Sequence, residues 1–352
     1  MYYVNNDIKK LKRIFDQNSR EGFLRLDLNE NPGGLPKEFV DKTLHEITPE
    51  FISHYPETDE FTGVLAKFIG VDKNEICLTN GSAEGIRHII EAFTQPGGKI
   101  LGVSPSYAMY EVYSNMYGRQ FIPIGYSSDN RVNHNDILEK IEHDVDLLII
   151  LNPNNPIGDV YSYEEMDRII QKAKRKEVTV LIDEAYFYFY PNSFIKYAVE
   201  NEYVFLTRTF SKLFSLAGAR LGYVVGKANG ISMVQKLCTP HNVNAFGMKF
   251  AQKIIETDGL IDDLIDKQLD GKRFLIEKLK EKGYKVNARE GNYIFISTKT
   301  NARNVMKRLR EEKNILVKVY DDIISFGTCL RVTTGERKLM DVFINALIDV
   351  DK

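Results

Sequence analysis

The stretch 207-TRTFSKLFSLAGARLGYVVG-226 sets a polar loop between two apolar runs that both read as strands. Lys212 stands in that loop, flanked by Phe210, Leu213 and Phe214. A lone lysine in such company ordinarily lays its stem along apolar surface and keeps its charge in water. Thr209, Ser211 and Arg220 change the reading, because two hydroxyls, an amine and a guanidinium then share one short apolar scaffold. Such a set can hold a phosphate beside a lysine poised for covalent chemistry.

Outward from this stretch, short β-rich runs alternate with longer helical ones. Ile76–Thr79 precedes Gly81-Ser82 and then Ala83, Ile86, Ile89, Ile90 and Phe93 at helical spacing. Lys99–Val103, 147-LLIIL-151, 178-VTVLI-182, 204-VFL-206 and 223-YVV-225 continue the series. Unbroken apolar runs separated by helices predict an α/β fold, with a mainly parallel sheet covered by helices on both faces. The polar residues gather just past the strands' C-terminal ends, where open α/β sheets bind ligands. After about 245 the character changes. A charged helical stretch over 246–282, with Gly259 and Gly271 as candidate breaks, is followed by 293-YIFI-296, a helix near 302–313, 315–319 and 330-LRVT-333. This predicts a smaller α/β domain over 246–352, a large domain over 41–245, and an N-terminal arm over 1–40 that joins the smaller one. The first residues, MYYVNNDIKKLKRIF, read as one short helix in that smaller lobe.

A chain of 352 residues can bury cores for both domains. Its 47 basic and 49 acidic residues are nearly balanced and form no basic tract, which argues against a nucleic-acid partner. No segment has the apolar length needed to span a bilayer, and the N-terminus lacks a secretory h-region. Cys77, Cys238 and Cys329 are far apart and odd in number, so they read as reduced thiols of a cytoplasmic protein with no metal site. Asn80-Gly81-Ser82 matches a glycosylation sequon in form only. The acidic pairs Glu164-Glu165, Asp262-Asp263 and Asp321-Asp322 read as solvated.

Asp183 closes an apolar strand and opens 183-DEAY-186. It can cap the next helix, or it can be a buried anion facing a heteroaromatic N–H⁺. Asn155, in 152-NPNNPIG-158, is a turn residue by default, yet it follows the 147–151 strand into the same crevice. Tyr186 can turn its hydroxyl to the same ligand. Gly81-Ser82-Ala83 opens a helix whose free N–H groups make an anion seat. No P-loop competes, because the lysine of Gly98-Lys99 lacks the required upstream glycine and is followed by Ile100. Taken together, these groups describe a site for pyridoxal 5′-phosphate. That cofactor needs a lysine for its aldehyde, a carboxylate for its ring nitrogen, donors for its phenolic oxygen and a phosphate cup.

The motifs 26-LDLNENP-32, 55-YPE-57, 80-NGSAEG-85, 105-PSYAMY-110, 152-NPNNPIG-158, 183-DEAY-186, 207-TRTFSK-212, 216-LAGARLGY-223, 291-GNYIF-295 and 330-LRVTTG-335 resemble those of the fold-type I aminotransferases. Within them, the chain resembles the histidinol-phosphate aminotransferase group. The resemblance implies a large domain with a seven-stranded, mainly parallel sheet between helices, and a smaller α/β domain. It implies that Lys212 bonds the cofactor, Asp183 meets the pyridine nitrogen, and Asn155 and Tyr186 hold the phenolic oxygen. Tyr107 would stack on the ring, and Ser82, Ala83, Thr209, Ser211 and Arg220 would bind the phosphate. Tyr55 would reach the cofactor of a neighbouring subunit in a homodimer, while Asn29 and Arg331 would meet the substrate's acidic group. Two positions depart from the family pattern. Ile157 stands where the family commonly has a threonine, and Tyr188 stands where an acidic residue often follows.

The reaction so implied is a ping-pong transamination, in which Lys212 moves the proton and an amino donor such as glutamate supplies nitrogen to a phosphorylated ketone. Imidazole acetol phosphate and a smaller hydroxyketone phosphate both suit Arg331, and no imidazole-recognition element stands out. Phosphoamino-acid decarboxylases are similar in these same motifs and form the alternative reading. A cofactor-sensing regulatory module is a third, which turnover by the isolated chain would eliminate.

Overall fold

The apolar runs of the sequence become the middle strands of one sheet. The computed structural model describes residues 2–11, 19–127, 131–132, 134–323 and 326–352. Its first eight strands are β1 (Leu24–Arg25), β2 (Ile76–Thr79), β3 (Lys99–Val103), β4 (Gln120–Ile124), β5 (Val145–Leu151), β6 (Thr179–Asp183), β7 (Val204–Thr209) and β8 (Gly222–Val225). Seven of them form the large sheet, in the order β2-β8-β7-β6-β5-β3-β4. β4, β3, β5, β6 and β7 pair in parallel, whereas β8 runs antiparallel to both β7 and β2. The sheet is therefore mainly parallel, with one reversed strand.

β5, β6 and β7 are buried along nearly their whole length, as strands covered on both faces must be. Helix Ser82–Phe93 lays Ile86, Ile89 and Ile90 across β5 to β8, and helix Tyr163–Lys176 packs on β6 through Met166, Ile169 and Ile170. Each of these fully buried aliphatic side chains contributes about 1.5–3 kcal/mol. β4, absent from the sequence reading, is 120-QFIPI-124. Its Pro123 cannot donate to a ladder, and the strand lies at the sheet's edge, where proline is tolerated.

The smaller domain adds β9 (Lys285–Asn287), β10 (Tyr293–Ser297), β11 (Ile315–Leu316), β12 (Lys318–Ile323) and β13 (Gly327–Thr333). Four of these make an antiparallel sheet in the order β12-β13-β10-β9, and β11 pairs in parallel with β1. That pairing fastens the N-terminal arm to this domain. A second hydrophobic core collects Leu26, Leu275, Ile294, Leu309, Val332 and Phe343 from these strands and their covering helices.

Two expectations need correction. The 246–282 stretch is two helices, Ala245–Glu256 and Leu260–Glu281, and only Gly259 breaks it, in the left-handed conformation at φ 72°. Gly271 lies unbroken inside the second helix, where a Cβ would sit 1.8 Å from the Gly335 carbonyl oxygen. It is there for close approach to the start of helix Arg337–Val350, not for a break. Second, the short helix Asn6–Lys10 lies against helix Met109–Met116 of the large domain, with Asp7 beside Gly118, and not in the smaller lobe. The part of that reading over 12–15 falls outside the described residues. Among the described residues, no helix is long and apolar enough to cross a membrane.

Gly271→Ala is expected to destabilise the protein by about 1–3 kcal/mol, as overpacking against fixed backbone does. Urea unfolding should show a lower midpoint at unchanged slope; an unchanged midpoint would mean that the two helices can separate freely.

Candidate active site

β2, β3, β5, β6 and β7 all point their C-terminal ends to one edge of the sheet, and β8 starts there. The loops at that edge bring Ser82, Ala83, Tyr107, Asn155, Asp183, Tyr186, Thr209, Ser211, Lys212 and Arg220 around one cleft. These are ten of the residues singled out in the sequence. Asn29 and Arg331 adjoin it through hydrogen bonds to Tyr186 and Asn155. Tyr55 is not among the cleft's lining residues. It is 78% exposed elsewhere on the surface, stacked on His241 at 4.4 Å between ring centroids.

Asp183 ends β6 almost wholly out of water, at 2% exposure. One carboxylate oxygen accepts from the Tyr110 hydroxyl at 2.7 Å, and the other from the Thr207 hydroxyl at 3.1 Å and the Ala185 N–H at 3.2 Å. Burial pushes its pKa up to about 6, against the pull of these donors. All three donors are neutral, so among the described residues this buried carboxylate is held by hydrogen bonds with no cation bonded to it. The next residue along has that cation. Glu184 accepts from Arg208 Nε at 2.9 Å and Nη2 at 2.7 Å, with Ser193 and the Phe194 N–H completing its shell. This buried pair joins the ends of β6 and β7 directly behind Asp183.

Lys212 extends its amine into the cleft, where Nζ donates to the Leu28 carbonyl at 3.0 Å. Burial lowers its pKa to about 8, and the Arg331 and Arg220 charges lower it further than Asp183 and Glu30 restore it. Tyr186 accepts from the Asn29 amide at 2.9 Å, which leaves its own O–H free to donate. Burial raises its pKa to about 12, so it stays a neutral donor. Asn155 spends its amide oxygen on Arg331 Nη1 at 2.7 Å, leaving its NH₂ as the free group.

At the other end of the cleft, Ser82 begins helix Ser82–Phe93 and brings its unpaired N–H groups. Ser211 Oγ accepts from Thr209 Oγ1 at 3.0 Å and from Arg220 Nη1 at 3.3 Å. Gly81, at φ 75°, lets Arg220 approach, since a Cβ there would lie 2.6 Å from its Nη2. Arg220 itself holds the left-handed conformation at φ 51°, as Asn29 does at φ 58°. That conformation costs a side-chain-bearing residue about 1 kcal/mol, sustained by the surrounding contacts.

Arg331, on β13, is 3% exposed. Its guanidinium donates to Asn155, to the Tyr320 hydroxyl at 3.2 Å and to the Asp27 carbonyl, all neutral oxygens, and its buried Nε has no hydrogen-bond partner among the described residues. Tyr110, Thr207, Glu184, Arg208 and Tyr320 were not singled out in the sequence. Tyr110 lies in the quoted 105-PSYAMY-110 and Thr207 opens the first quoted stretch, so the signal was present without the geometry. Tyr320 had none beyond its place beside Arg331 on the neighbouring strand. Ile157, the departure from the threonine pattern, packs with Phe295 and Cys329 of the smaller domain, so an apolar contact replaces the hydroxyl. Tyr188 packs edge-on against Phe214. Among the described residues, no cluster of three His, Cys, Asp or Glu side chains suits a metal ion.

The sequence model of aminotransferase class I and II matches residues 21–347. A histidinol-phosphate aminotransferase of Thermoanaerobacter sp. (strain X514) is 32% identical over 348 residues, which cover 98% of this chain and 97% of that protein. The fold matches that of histidinol-phosphate aminotransferase from Sinorhizobium meliloti, solved in complex with pyridoxal-5′-phosphate. The TM-score is 0.89 at 19% identity, over 99% of this chain and 98% of that one. Histidinol-phosphate aminotransferase from Clostridium acetobutylicum aligns with a TM-score of 0.80 at 25% identity, over 93% of this chain and 99% of that one. With the matched model spanning most of its length, the chain belongs to the class I and II aminotransferase family.

Proposed function

We propose that the chain is a pyridoxal-phosphate-dependent aminotransferase that takes an amino group from a donor such as glutamate and gives it to a phosphorylated ketone. Imidazole acetol phosphate or a smaller hydroxyketone phosphate fits the acceptor role, and the names of the relatives support the first. The observation that carries the reading is the convergence of the Lys212 amine and the buried Asp183 carboxylate, hydrogen-bonded by neutral donors, on one cleft. A buried carboxylate held only by neutral hydrogen bonds is costly, and a protonated ring nitrogen would give it a bonded cation. Gly81 and the gathered Thr209, Ser211 and Arg220 side chains form a cradle of the charge and donor type a phosphate needs.

When bound, the cofactor supplies an aldehyde for an amine and a ring that takes up the electrons released when the substrate's Cα–H bond breaks. The rest falls to the chain. Lys212 would bond the aldehyde carbon and, once displaced by substrate, carry the proton from the substrate carbon, a task that its lowered pKa favours. Asp183 would hold the ring nitrogen protonated. Tyr186 and Asn155 would donate to the phenolic oxygen, and Tyr107 would cover the ring. Ser82, Ala83, Thr209, Ser211 and Arg220 would take the phosphate. Arg331, fixed on three neutral oxygens, would pair with a donor carboxylate or an acceptor phosphate, with Asn29 beside it.

The same reading includes a homodimer in which exposed Tyr55 reaches the neighbouring subunit's phosphate. It divides the chain into the arm 1–40, a large domain 41–245 and a small domain 246–352, with the helices after 245 spanning both cores.

Borohydride reduction of the cofactor-loaded protein should fix the label on Lys212, and Lys212→Ala should lose about 10²–10⁴-fold in turnover. Glutamate alone should convert the cofactor to its amine form. Carbon dioxide release from a phosphoamino acid without that conversion would reassign the reaction to decarboxylation. Arg331→Gln should raise KM for both substrates, by about 10- to 100-fold if it loses hydrogen bonds to a charged group; an unchanged KM would remove Arg331 from substrate binding.

Asp183 supplies a pH test on the cofactor-free protein. Its folded pKa, about 6, lies above the unfolded 3.8, so the folded state binds the proton more tightly. Stability from this group is present below pH 4 and is lost as pH rises through 6, by about 3 kcal/mol in all. Asp183→Asn should flatten that slope in urea titrations between pH 4 and 7. An identical slope in the variant would show that Asp183 is ionised at ordinary carboxylate pH.

A further inference from the structure

Outside the cleft, two cysteines distant in sequence meet. Cys77 lies on β2 at the edge of the large sheet, and Cys238 lies in the turn after helix Ala228–Gln235. Their sulfurs are 3.6 Å apart, in contact but not bonded. The Cys238 sulfur also lies 3.8 Å from Nδ1 of His88, a buried imidazole to which the proposed transamination gives no role. Cys77 and Cys238 line a surface groove together with Asp59, Thr62, Gln235 and Asn242. Cys238 is half-buried, whereas Cys77 is in the core.

The two thiols are not equivalent. The Cys238 thiol is pushed down by its hydrogen-bond contact with the Cys77 sulfur and by His88 beside it, against burial and the Glu84 charge. Cys77 is shifted the other way by that same bond and by burial. Nucleophilic attack by a thiol requires the thiolate and access; Cys238 is the half-buried one of the pair and the one beside His88. The third cysteine, Cys329, is buried in the small cluster with Ile157 and Phe295, and burial raises its pKa. It serves as an internal control.

We propose that Cys77 and Cys238 form a peroxide-reactive dithiol, closing to an intramolecular disulfide when a hydroperoxide oxidises Cys238. The Cys238 thiolate attacks one peroxide oxygen, the O–O bond breaks, and the departing alkoxide or hydroxide takes up a proton. Cys238 is then a sulfenic acid. The Cys77 sulfur attacks it, the S–S bond forms, the S–O bond breaks, and the Cys77 proton leaves with the hydroxide as water. Two thiols lose two electrons in all and the peroxide gains them. A disulfide needs the sulfurs at about 2.05 Å. Cys77 is held in a ladder with Val224 of β8, so the closing movement falls to the turn that carries Cys238.

The bond would fasten two segments that already touch. The Asn242 amide, four residues after Cys238, donates to the Leu78 carbonyl at 3.0 Å and to the Glu84 carboxylate at 3.1 Å. β2 in turn runs directly into the Asn80-Gly81-Ser82 turn of the cleft.

The test is to expose the cofactor-loaded protein to equimolar hydrogen peroxide and titrate thiols after denaturation. Thiols should fall from three to one, peptide mapping should join Cys77 to Cys238 within one chain, and dithiothreitol should restore all three. Cys77→Ser should accumulate a Cys238 sulfenic acid that dimedone traps, and Cys238→Ser should leave Cys77 unoxidised. Three surviving thiols at tenfold excess peroxide, under conditions that oxidise free glutathione, would overturn the proposal. So would a bond between chains, or oxidation of Cys329 at a rate equal to that of Cys238. Transaminase assays do not enter the test, so its outcome is independent of the proposed reaction.

Discussion

A carboxylate with no cation bonded to it, held out of water at the end of a parallel strand, is the constraint around which the site is arranged. Asp183 could escape its desolvation cost by swinging to solvent or by staying protonated. Tyr110, Thr207 and the Ala185 N–H bind both oxygens and oppose the first. Behind it, the Glu184–Arg208 pair bridges β6 and β7, and Arg208 also stacks over Phe187 at 3.8 Å. A buried ion pair contributes little net stability, but losing one partner leaves a buried charge and costs several kcal/mol. The strand ends are therefore held together by a contact that is costly to break halfway. Asp183 inherits that rigidity.

The opposite wall comes from the smaller domain. β10, β12 and β13 set Tyr293, Tyr320 and Arg331 on one face by the alternation of antiparallel pairing, with Phe295 opposite Arg331 in register. Tyr293 donates to the Asn154 carbonyl at 2.7 Å and packs edge-on against Tyr186. Arg331 reaches Asn155, and Asn29 reaches Tyr186. Each of these bonds joins a residue of the wall proposed for the cofactor to one of the wall proposed for the substrate. A shift of the smaller domain would therefore be felt at Tyr186 and Asn155, the donors proposed for the phenolic oxygen, and Ile157 adds an apolar contact to Phe295 at the same junction.

Much of this was legible in the sequence, for a simple reason. A parallel sheet buried on both faces writes its strands as unbroken apolar runs, and its ligands gather at their C-terminal ends. That made Asp183, Asn155, Lys212 and Arg220 readable as one constellation. What escaped depended on neighbours in space. Tyr110 and Thr207 look like core residues until Asp183 is seen between them. Pro123 hid an edge strand, because proline argues against any strand until its position in the sheet is known. Gly271 looked like a break, but a glycine demanded by a facing carbonyl carries the same letter. The Asn6–Lys10 helix was assigned to the wrong domain because five residues of amphipathic sequence do not say which surface they meet.

The charges across the cleft also explain how one lysine can serve two opposed demands. In the proposed role, Lys212 would have to give up its proton readily to bond and release substrates, and hold one for a moment to move it. After burial, the first influence lowering its pKa is Arg331, and Arg220 lowers it too. Both are the arginines assigned to anions in the proposed function, one to the substrate and one to the cofactor phosphate. An anion on either guanidinium cancels part of its field, because opposite charges at close range screen one another strongly in a site that excludes water. Lys212 is thus a poorer proton acceptor when the cleft holds no anion and a better one when substrate is seated. In the proposed function, the arginine assigned to the acidic substrate would then tune the lysine assigned as base, and neither Arg331 nor Lys212 would have to move for that coupling to operate.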